Sequence, residues 1–277
     1  MKDLIKKAKI ISSKLPDIKF AISHSNSLNI GEVKIMKKGT GDEFFEYKDY
    51  LTGDPLKNID WKKSAKIQKL LIKNKEHESS RNIWFWIDNS ISMKYGNFEG
   101  FKSKYYKSII LGLVLIDLSL NSGEKVGIIG SEIGLKKNKN DFVLLATSFI
   151  KNSYTLNDPR IKKNDIVIIF SDLLEKPETY KKKISNMSQN FCHGIIIQIL
   201  HPYELSFPFK GRKRFFDPVS GLHKLFNKTE NVKEVYKAEF NKHQKNLNEV
   251  FKRIGWRLFT NITNSNYEKI IYQLYNK

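Results

Sequence analysis

Residues 82–92 read NIWFWIDNSIS and join a run of apolar side chains to a short polar loop. The apolar run, residues 82–87, has the length and composition of a strand that is covered on both faces, as in a parallel sheet. Asp88, Ser90 and Ser92 follow it directly, and side chains two residues apart in one tight loop can point their oxygens into one small volume. The stretch therefore predicts a buried strand with an oxygen-rich loop at its carboxyl end.

Strand patterns alternate with helix patterns from this stretch to the end of the chain. The predicted strands are 82–87, 125–130, 165–170, 193–200 and 256–261, and the predicted helices are 102–121, 141–152, 180–189, 232–254 and 267–275. Alternation of this kind, with continuous apolar strands, indicates a mainly parallel sheet with helices on both faces. We therefore expect a Rossmann-like α/β domain over residues 81–277.

The N-terminal residues, 1–80, follow a different pattern. Residues 1–15 have the apolar spacing of a helix, which Pro16 ends. Residues 30–75 lack helical periodicity and are punctuated by glycine and proline, with strand-like segments at 32–36 and 69–73. The sequence predicts an N-terminal helix followed by a small β-rich appendage.

The chain is strongly basic, with a formal net charge of +20 over 277 residues. Such a charge is compatible with nucleic acid as a partner and with peripheral contact with an anionic membrane surface. Proteins that read bases and phosphates specifically rely on the planar fork of arginine, however, and here the positive residues are mostly lysines spread through every segment. We expect no specific nucleic-acid partner. The alternative, a basic nucleic-acid-binding protein, would lose affinity steeply across a salt series.

The single cysteine, Cys192, excludes an internal disulfide framework and a thiolate zinc site, and it indicates a reducing compartment. The longest apolar run, residues 109–120, is interrupted by Asp117 and is shorter than the roughly 20 residues that a membrane span needs. The N-terminus lacks the apolar core of a signal peptide. We therefore expect a cytoplasmic protein without a membrane span.

A second acidic loop is predicted beside the first one. Asp172 comes just after the strand that ends at Phe170, and in an open parallel sheet ligands bind outside the carboxyl ends of the strands. Oxygen donors without His or Cys suit Mg²⁺, Mn²⁺ or Ca²⁺, and Mg²⁺ keeps waters that an acidic group of a partner can replace. The alternative is that Asp88 and the two serines cap the helix that follows them.

The sequence predicts no catalytic residue. A nucleophilic serine needs an adjacent base, and the six histidines form no recognisable arrangement with Ser90 or Ser92. A phosphate-cradling glycine-rich loop is also absent from the sequence. The remaining enzymatic alternative is a metal-dependent phosphoester hydrolase, which would need a general base near the metal, and no candidate is evident beyond Asp88 and Asp172.

The two acidic loops resemble the metal-ion-dependent adhesion site (MIDAS) of von Willebrand A domains. Three longer stretches, GTGDEFFEYKDYLTGDPLKNIDWKKSAKIQKLLIKNKEHE, WFWIDNSISM and LHPYELSFPFKGRKRFFDPVSG, resemble the bacterial family catalogued as domain of unknown function 58 (DUF58). The resemblance implies a von Willebrand A-like fold in which Asp88, Ser90 and Ser92 form the first metal loop and Asp172 is the acid of the later loop. It implies no enzymatic activity.

The same resemblance implies partners, because family members are commonly encoded beside MoxR-type AAA ATPases and other von Willebrand A proteins. The implied role is that of an adaptor or accessory protein in protein maturation or complex assembly. Many von Willebrand A domains also supply a metal-binding Thr from a Gly-Thr loop, and none is evident here, since Thr147 is predicted to lie inside a helix and Thr155 after it. The third ligand is therefore unassigned, which is compatible with weak metal binding.

Two further expectations concern polar residues outside the metal loops. His201 stands where the family tends to have Asp, and we interpret it as a residue of a surface turn. The segment from Gly53 to Ser64 is interpreted as a tight turn followed by a strand, with Trp61 packing the appendage onto the main domain. In the functional alternative, Asp54, Asp60 and Ser64 form part of a partner surface beside the metal loop.

Overall fold

The computed structural model describes residues 1–16, 38–50, 56, 59–76, 81–98, 100–151, 155–189, 192–217 and 221–275. The chain divides into two compact units, a larger one of Met1–Ser25 with Arg81–Lys277 and a smaller one of Asn26–Ser80. The elements in chain order are α1 (Lys2–Ser12), β1 (Lys38–Asp49), α2 (Trp61–Ile67), β2 (Leu71–Glu76), β3 (Asn82–Ile87), α3 (Lys104–Asn121), β4 (Lys125–Ile128), α4 (Phe142–Ile150), β5 (Ile166–Ser171), α5 (Pro177–Gln189), β6 (His193–Leu200), α6 (Pro202–Ser206), β7 (Lys213–Phe216), β8 (His223–Phe226), α7 (Glu230–Arg253), β9 (Arg257–Ile262) and α8 (Tyr267–Tyr275).

A five-stranded parallel sheet in the order β4-β3-β5-β6-β9 forms the centre of the larger unit. Successive side chains of a strand point to opposite faces of the sheet. On β3, Phe85 joins the apolar cluster that contains α3, α4 and α8, whereas Trp84 joins the cluster that contains residues of α5 and α7. Helices therefore cover both faces, and the predicted α/β class with a parallel sheet is confirmed.

Helix α3 lies at the centre of the larger apolar cluster. It is apolar around most of its circumference, and a helix of this kind is expected to be buried on all sides. The sheet covers one side, and α1 packs on another through Ala8. The Ser12 hydroxyl of α1 also donates a hydrogen bond to Asp117 Oδ2 of α3, at 2.5 Å.

The packing of α1 assigns this helix to the larger unit, which resumes at Arg81. The sequence placed the N-terminal helix with the β-rich residues in one segment, residues 1–80, because the two are adjacent in the chain. In the structure, α1 belongs to the larger unit, because its apolar face is buried against α3.

The smaller unit contains an antiparallel pair of strands, β1 and β2, and the helix α2. The predicted strand 69–73 is found as β2, starting at Leu71. The prediction of a turn followed by a strand is wrong at residues 61–67, where α2 forms. Asp60 caps this helix by accepting a hydrogen bond from the Lys63 amide at 3.0 Å, and Asp is a favoured N-cap residue. The predicted strand 32–36 lies outside the described residues.

Within the described residues, no helix combines the length and the apolar character that crossing a bilayer requires.

Gly194 gives a test of how the second face of the sheet packs. A Cβ atom at this position of β6 would lie 1.7 Å from Cδ2 of the buried Trp256 ring, so the ring would have to move. We expect Gly194→Ala to lower the free energy of unfolding by about 2–3 kcal/mol, the upper range for overpacked cores, measured by urea unfolding. Gly134→Ala is the control, because a Cβ atom at Gly134 would meet nothing within 4 Å beyond its own chain neighbours. Equal stability of the two variants would contradict this packing.

Candidate functional site

The first polar loop is held in place by the neighbouring strand. The Asp88 amide donates a hydrogen bond to the Phe170 carbonyl of β5 at 2.8 Å. Asp88 Oδ1 in turn accepts a hydrogen bond from the Ser90 amide at 2.8 Å, which closes a local turn of the kind that Asp favours. The Ser90 and Ser92 hydroxyl oxygens lie 3.0 Å apart. The loop therefore collects two hydroxyls and a carboxylate at the carboxyl end of β3, as the sequence predicted.

The capping alternative for this loop is not supported by the geometry. Ser90 precedes a short 3-10 turn, Ile91–Lys94, but its side chain makes no capping hydrogen bond. The next α-helix, α3, is capped by Ser103, whose hydroxyl accepts a hydrogen bond from the Tyr106 amide at 3.1 Å. The hydroxyls of the first loop are therefore not used to begin a helix.

The second polar loop touches the first one through Ser171. Its hydroxyl donates a hydrogen bond to Asp88 Oδ2 at 2.7 Å. Asp172 follows it and is almost completely buried. Its Oδ2 atom lies 2.8 Å from Nζ of Lys104. The structure thus brings the two loops together, although the Asp172 carboxylate is engaged by a lysine at the start of α3.

Lys104 is the main residue of the site that the sequence analysis missed. Its side chain is fully buried, and its ammonium group pairs with both Asp172 and Glu204, the latter at 2.6 Å. The other oxygen of Glu204 accepts a hydrogen bond from the His201 amide at 2.6 Å. The only signal in the sequence was a lysine at the beginning of a helix with a long apolar run, in a chain where lysine is common everywhere.

The donor atoms of the first loop fit a hard divalent cation. The 3.0 Å separation of the Ser90 and Ser92 oxygens is close to that of adjacent ligands around an octahedral Mg²⁺, about 3 Å for bond lengths of 2.0–2.1 Å. Asp172 does not fit as a direct ligand while it is paired with Lys104. Among the described residues, no three His, Cys, Asp or Glu side chains form a group that could hold a metal. Any cation here would depend on hydroxyls and on Asp88.

The interpretation of His201 as a surface residue is wrong. His201 is fully buried, and its Nδ1 atom accepts a hydrogen bond from the Tyr203 amide at 3.1 Å, so it caps α6. Its ring packs against Tyr95, Phe98 and Phe101. A short aromatic segment after the first loop is thereby fixed to α6. Sequence spacing gave no sign of this, because the contacts join segments about one hundred residues apart.

An apolar groove of about 560 Å³ begins at the first loop. Ser92 and Glu204 lie at one end of it, and α6, the hairpin of β7 and β8, and the first turns of α7 form its walls. Tyr236 of α7 donates a hydrogen bond to the Glu204 carbonyl at 2.7 Å. Burial, followed by the nearby Glu204 charge, raises the pKa of Tyr236 to about 12. The hairpin and α6 were not predicted from the sequence.

The residues predicted as a partner surface lie in the smaller unit, and their hydrogen bonds serve its fold. Asp60 caps α2 and also accepts a hydrogen bond from the Tyr47 hydroxyl at 2.9 Å. Ser64 is buried, and its hydroxyl accepts from the Leu71 amide at 2.9 Å. Asp54 lies outside the described residues. Their role at a partner surface stays a prediction.

Thr147 lies inside α4, as predicted, with its hydroxyl donating to the Val143 carbonyl at 2.8 Å. It is thereby engaged within its own helix, and the third ligand of the metal loop remains unassigned.

Comparisons with known proteins place these features in context. The family described as "Protein of unknown function DUF58" matches residues 46–138 and 146–246, which include both polar loops. Similar solved structures include an aerotolerance-related membrane protein from Bacteroides fragilis, with a TM-score of 0.38 and 14% identity over 70% of this chain and 98% of that one. Another is BatB from Bacteroides thetaiotaomicron, with a TM-score of 0.41 and 14% identity over 70% of this chain and 97% of that one. The SpRpn10 VWA domain is also similar, with a TM-score of 0.37 and 12% identity over 70% of this chain and 95% of that one. No curated protein matches the chain.

Proposed function

The chain belongs to the DUF58 family, and from this premise we propose that its larger unit is a non-enzymatic, metal-dependent protein-interaction module. We propose a MoxR-type AAA ATPase as its partner, alongside other von Willebrand A proteins, with the module acting as an adaptor or accessory protein in protein maturation or complex assembly. We also propose the cytoplasm as the location of the module, because an ATP-dependent partner of this kind needs ATP.

The observation that carries the proposal is the pair of serine hydroxyls beside Asp88. Ser90 and Ser92 would hold the cation, Mg²⁺ or in its place Mn²⁺ or Ca²⁺, and Asp88 would supply the nearest negative charge. The bound cation would offer a positive centre with an exchangeable position for a carboxylate of the partner. Ser171 keeps Asp88 turned toward the loop through its hydrogen bond to Oδ2.

The proposal modifies the role of Asp172 that the family resemblance implies. Because the carboxylate of Asp172 is paired with Lys104, it would add charge near the site and hold α3 beneath the loops, without binding the cation directly. A site with few anionic ligands keeps more of the cation's positive charge, and this favours an incoming acidic group. It also predicts a low affinity for the metal in the absence of the partner.

The surroundings of the loops support a binding role more than a catalytic one. A hydrolase would need a general base within hydrogen-bond reach of a water or substrate. Among the described residues of the site, Asp172 is paired with Lys104, and His201 is buried as the cap of α6. Asp88 already accepts two hydrogen bonds, from Ser90 and Ser171. Because Asp172, His201 and Asp88 are all engaged in these contacts, none of the three is available as a general base.

Removing both hydroxyls tests the ligand assignment. We expect Ser90→Ala combined with Ser92→Ala to weaken Mg²⁺ binding at least tenfold by titration calorimetry, because two oxygen ligands are lost. The melting temperature should change little, since both residues are partly exposed in a loop. Ser206→Ala, an exposed serine at the end of α6, is the control. An unchanged Mg²⁺ affinity in the folded double variant would show that these hydroxyls are not ligands.

A further inference from the structure

The apolar groove beside the first loop has no role in the proposal so far. It is lined at one end by Ser92, which belongs to the metal loop, and it extends over the surface between the hairpin and α7. A ligand group bound at Ser92 would therefore have the groove as its immediate neighbour. A groove of about 560 Å³ is large enough for one or two bulky side chains.

The walls of the groove are almost entirely apolar. Phe215 and Phe226 face it from the hairpin, where they lie on the same side of the two paired strands. Val232, Val235 and Tyr236 face it from α7, at the i, i+3, i+4 spacing of one helix face. Val235 is 65% exposed at the mouth of the groove. Apolar side chains that stay accessible in a concave surface are typical of a binding site.

The polar groups at the floor of the groove are already paired with each other. Lys104 and Glu204 form a short ion pair, and Tyr236 donates its hydroxyl hydrogen to the Glu204 carbonyl. A ligand that entered the groove would therefore not need a charged group to satisfy these atoms. The floor and walls together favour an apolar ligand group.

The hairpin segment that supplies one wall of the groove is strongly basic. Between residues 210 and 230 the chain has two acidic residues, Asp217 and Glu230, against exposed basic residues at Lys210, Arg212, Lys213, Arg214, Lys224 and Lys228. Lys224 itself lines the groove, directly across the hairpin from Phe215. This combination of an apolar groove and a basic hairpin at its side is complementary to an acidic segment that carries a bulky apolar side chain.

We propose that the groove binds an aromatic or large aliphatic side chain of the same partner segment whose acidic residue reaches the metal loop. The module would then recognise a short peptide motif, an Asp or Glu with a bulky apolar residue a few positions away, in an acidic context. The acidic residue of this motif rests on the proposed function, whereas the bulky apolar residue rests on the groove alone.

The test uses fluorescein-labelled peptides and the whole chain in the presence of MgCl₂. Each peptide has a Gly-Ser background with one aspartate and one phenylalanine, separated by zero to three residues. Matched peptides replace the phenylalanine by alanine or the aspartate by asparagine. Fluorescence anisotropy should show that the best phenylalanine peptide binds at least tenfold more tightly than its alanine match, about 1.4 kcal/mol.

Variants of the protein locate the effect in the groove. Val235→Gln should reduce the preference for phenylalanine to less than threefold, and because Val235 is exposed the variant should fold. Val143→Gln is the matched control, since Val143 is 54% exposed on α4 and lies outside the groove, and it should keep the full preference. Equal affinities of the phenylalanine and alanine peptides, including a failure of both to bind at millimolar concentration, would overturn the inference. So would a preference that survives in Val235→Gln.

The two proposals fail in different ways in this experiment. Suppose that EDTA does not weaken binding, that the asparagine peptide binds as tightly as the aspartate peptide, and that the preference for phenylalanine depends on Val235. The groove is then a binding site and the metal proposal is wrong. If binding requires Mg²⁺ and aspartate but phenylalanine and alanine are equivalent, the metal proposal stands and the groove proposal is wrong.

Discussion

Replacing Lys104 by Met is expected to lower the free energy of unfolding by about 3–5 kcal/mol, the usual cost of breaking a buried ion pair by removing one partner. The substitution keeps the length of the side chain and removes its charge. Asp172 and Glu204 would then lose their common counter-charge, and their side chains are only 2% and 14% exposed. Two carboxylates would remain close together with little water to solvate them.

Urea unfolding followed by circular dichroism measures this loss. The control is Lys183→Met, because Lys183 pairs with Glu175 at the surface, where the two side chains are 44% and 48% exposed and such pairs contribute about 0–1 kcal/mol. Adding Asp172→Asn and Glu204→Gln to Lys104→Met should restore part of the stability, since neutral side chains need no counter-charge. A loss below about 1 kcal/mol for Lys104→Met would contradict the buried network.

Much of the fold could be predicted because each main strand and helix carries its own periodic pattern. β3 and β6 were predicted with the bounds that the structure has, since both are mostly apolar runs with polar residues after them. Helix α3 starts at Lys104, two residues later than predicted, because Ser103 caps it. The α/β alternation then limited the architecture to a parallel sheet covered on both faces.

The features that were missed depend on contacts between distant parts of the chain. The ion-pair network joins Lys104, Asp172 and Glu204, which lie on three different segments, and nothing in their local sequence indicates that they pair with each other. The strands of the hairpin have only four residues each, so their pattern is too short to be recognised. α1 was placed in the wrong unit for a similar reason, since its partner α3 lies about one hundred residues further along the chain.

The first polar loop was predictable because its chemistry is local. Asp88, Ser90 and Ser92 lie within five residues, directly after a strand whose end is defined by the apolar run. The role of Asp172 was only half predictable: its position at the same edge of the sheet follows from the topology, but its pairing with Lys104 does not.

Replacing Asp88 by Ala is expected to lower the affinity for the proposed partner, a MoxR-type ATPase, at least tenfold, or about 1.4 kcal/mol. Asp88 supplies the negative charge beside the serine hydroxyls, and it accepts the hydrogen bonds from Ser90 and Ser171 that order both loops. Its removal therefore takes away the attraction for the cation and the arrangement that holds it. Asp88→Asn, which keeps the shape of the side chain but not its charge, should cause a similar loss.

The central claim is that a divalent cation in the first loop bridges this protein to its partner. The most direct measurement is interferometry with the immobilised ATPase, comparing the unsubstituted chain with Asp88→Ala in Mg²⁺ and in EDTA. We predict that EDTA lowers the affinity of the unsubstituted chain for the ATPase at least tenfold. In Asp88→Ala, EDTA should cause little further loss of affinity, because the chelator and the substitution remove the same bridge. Binding that is insensitive to EDTA and survives Asp88→Ala would contradict the claim and move the interface elsewhere, with the segment of Asp60 and Ser64 as the next candidate.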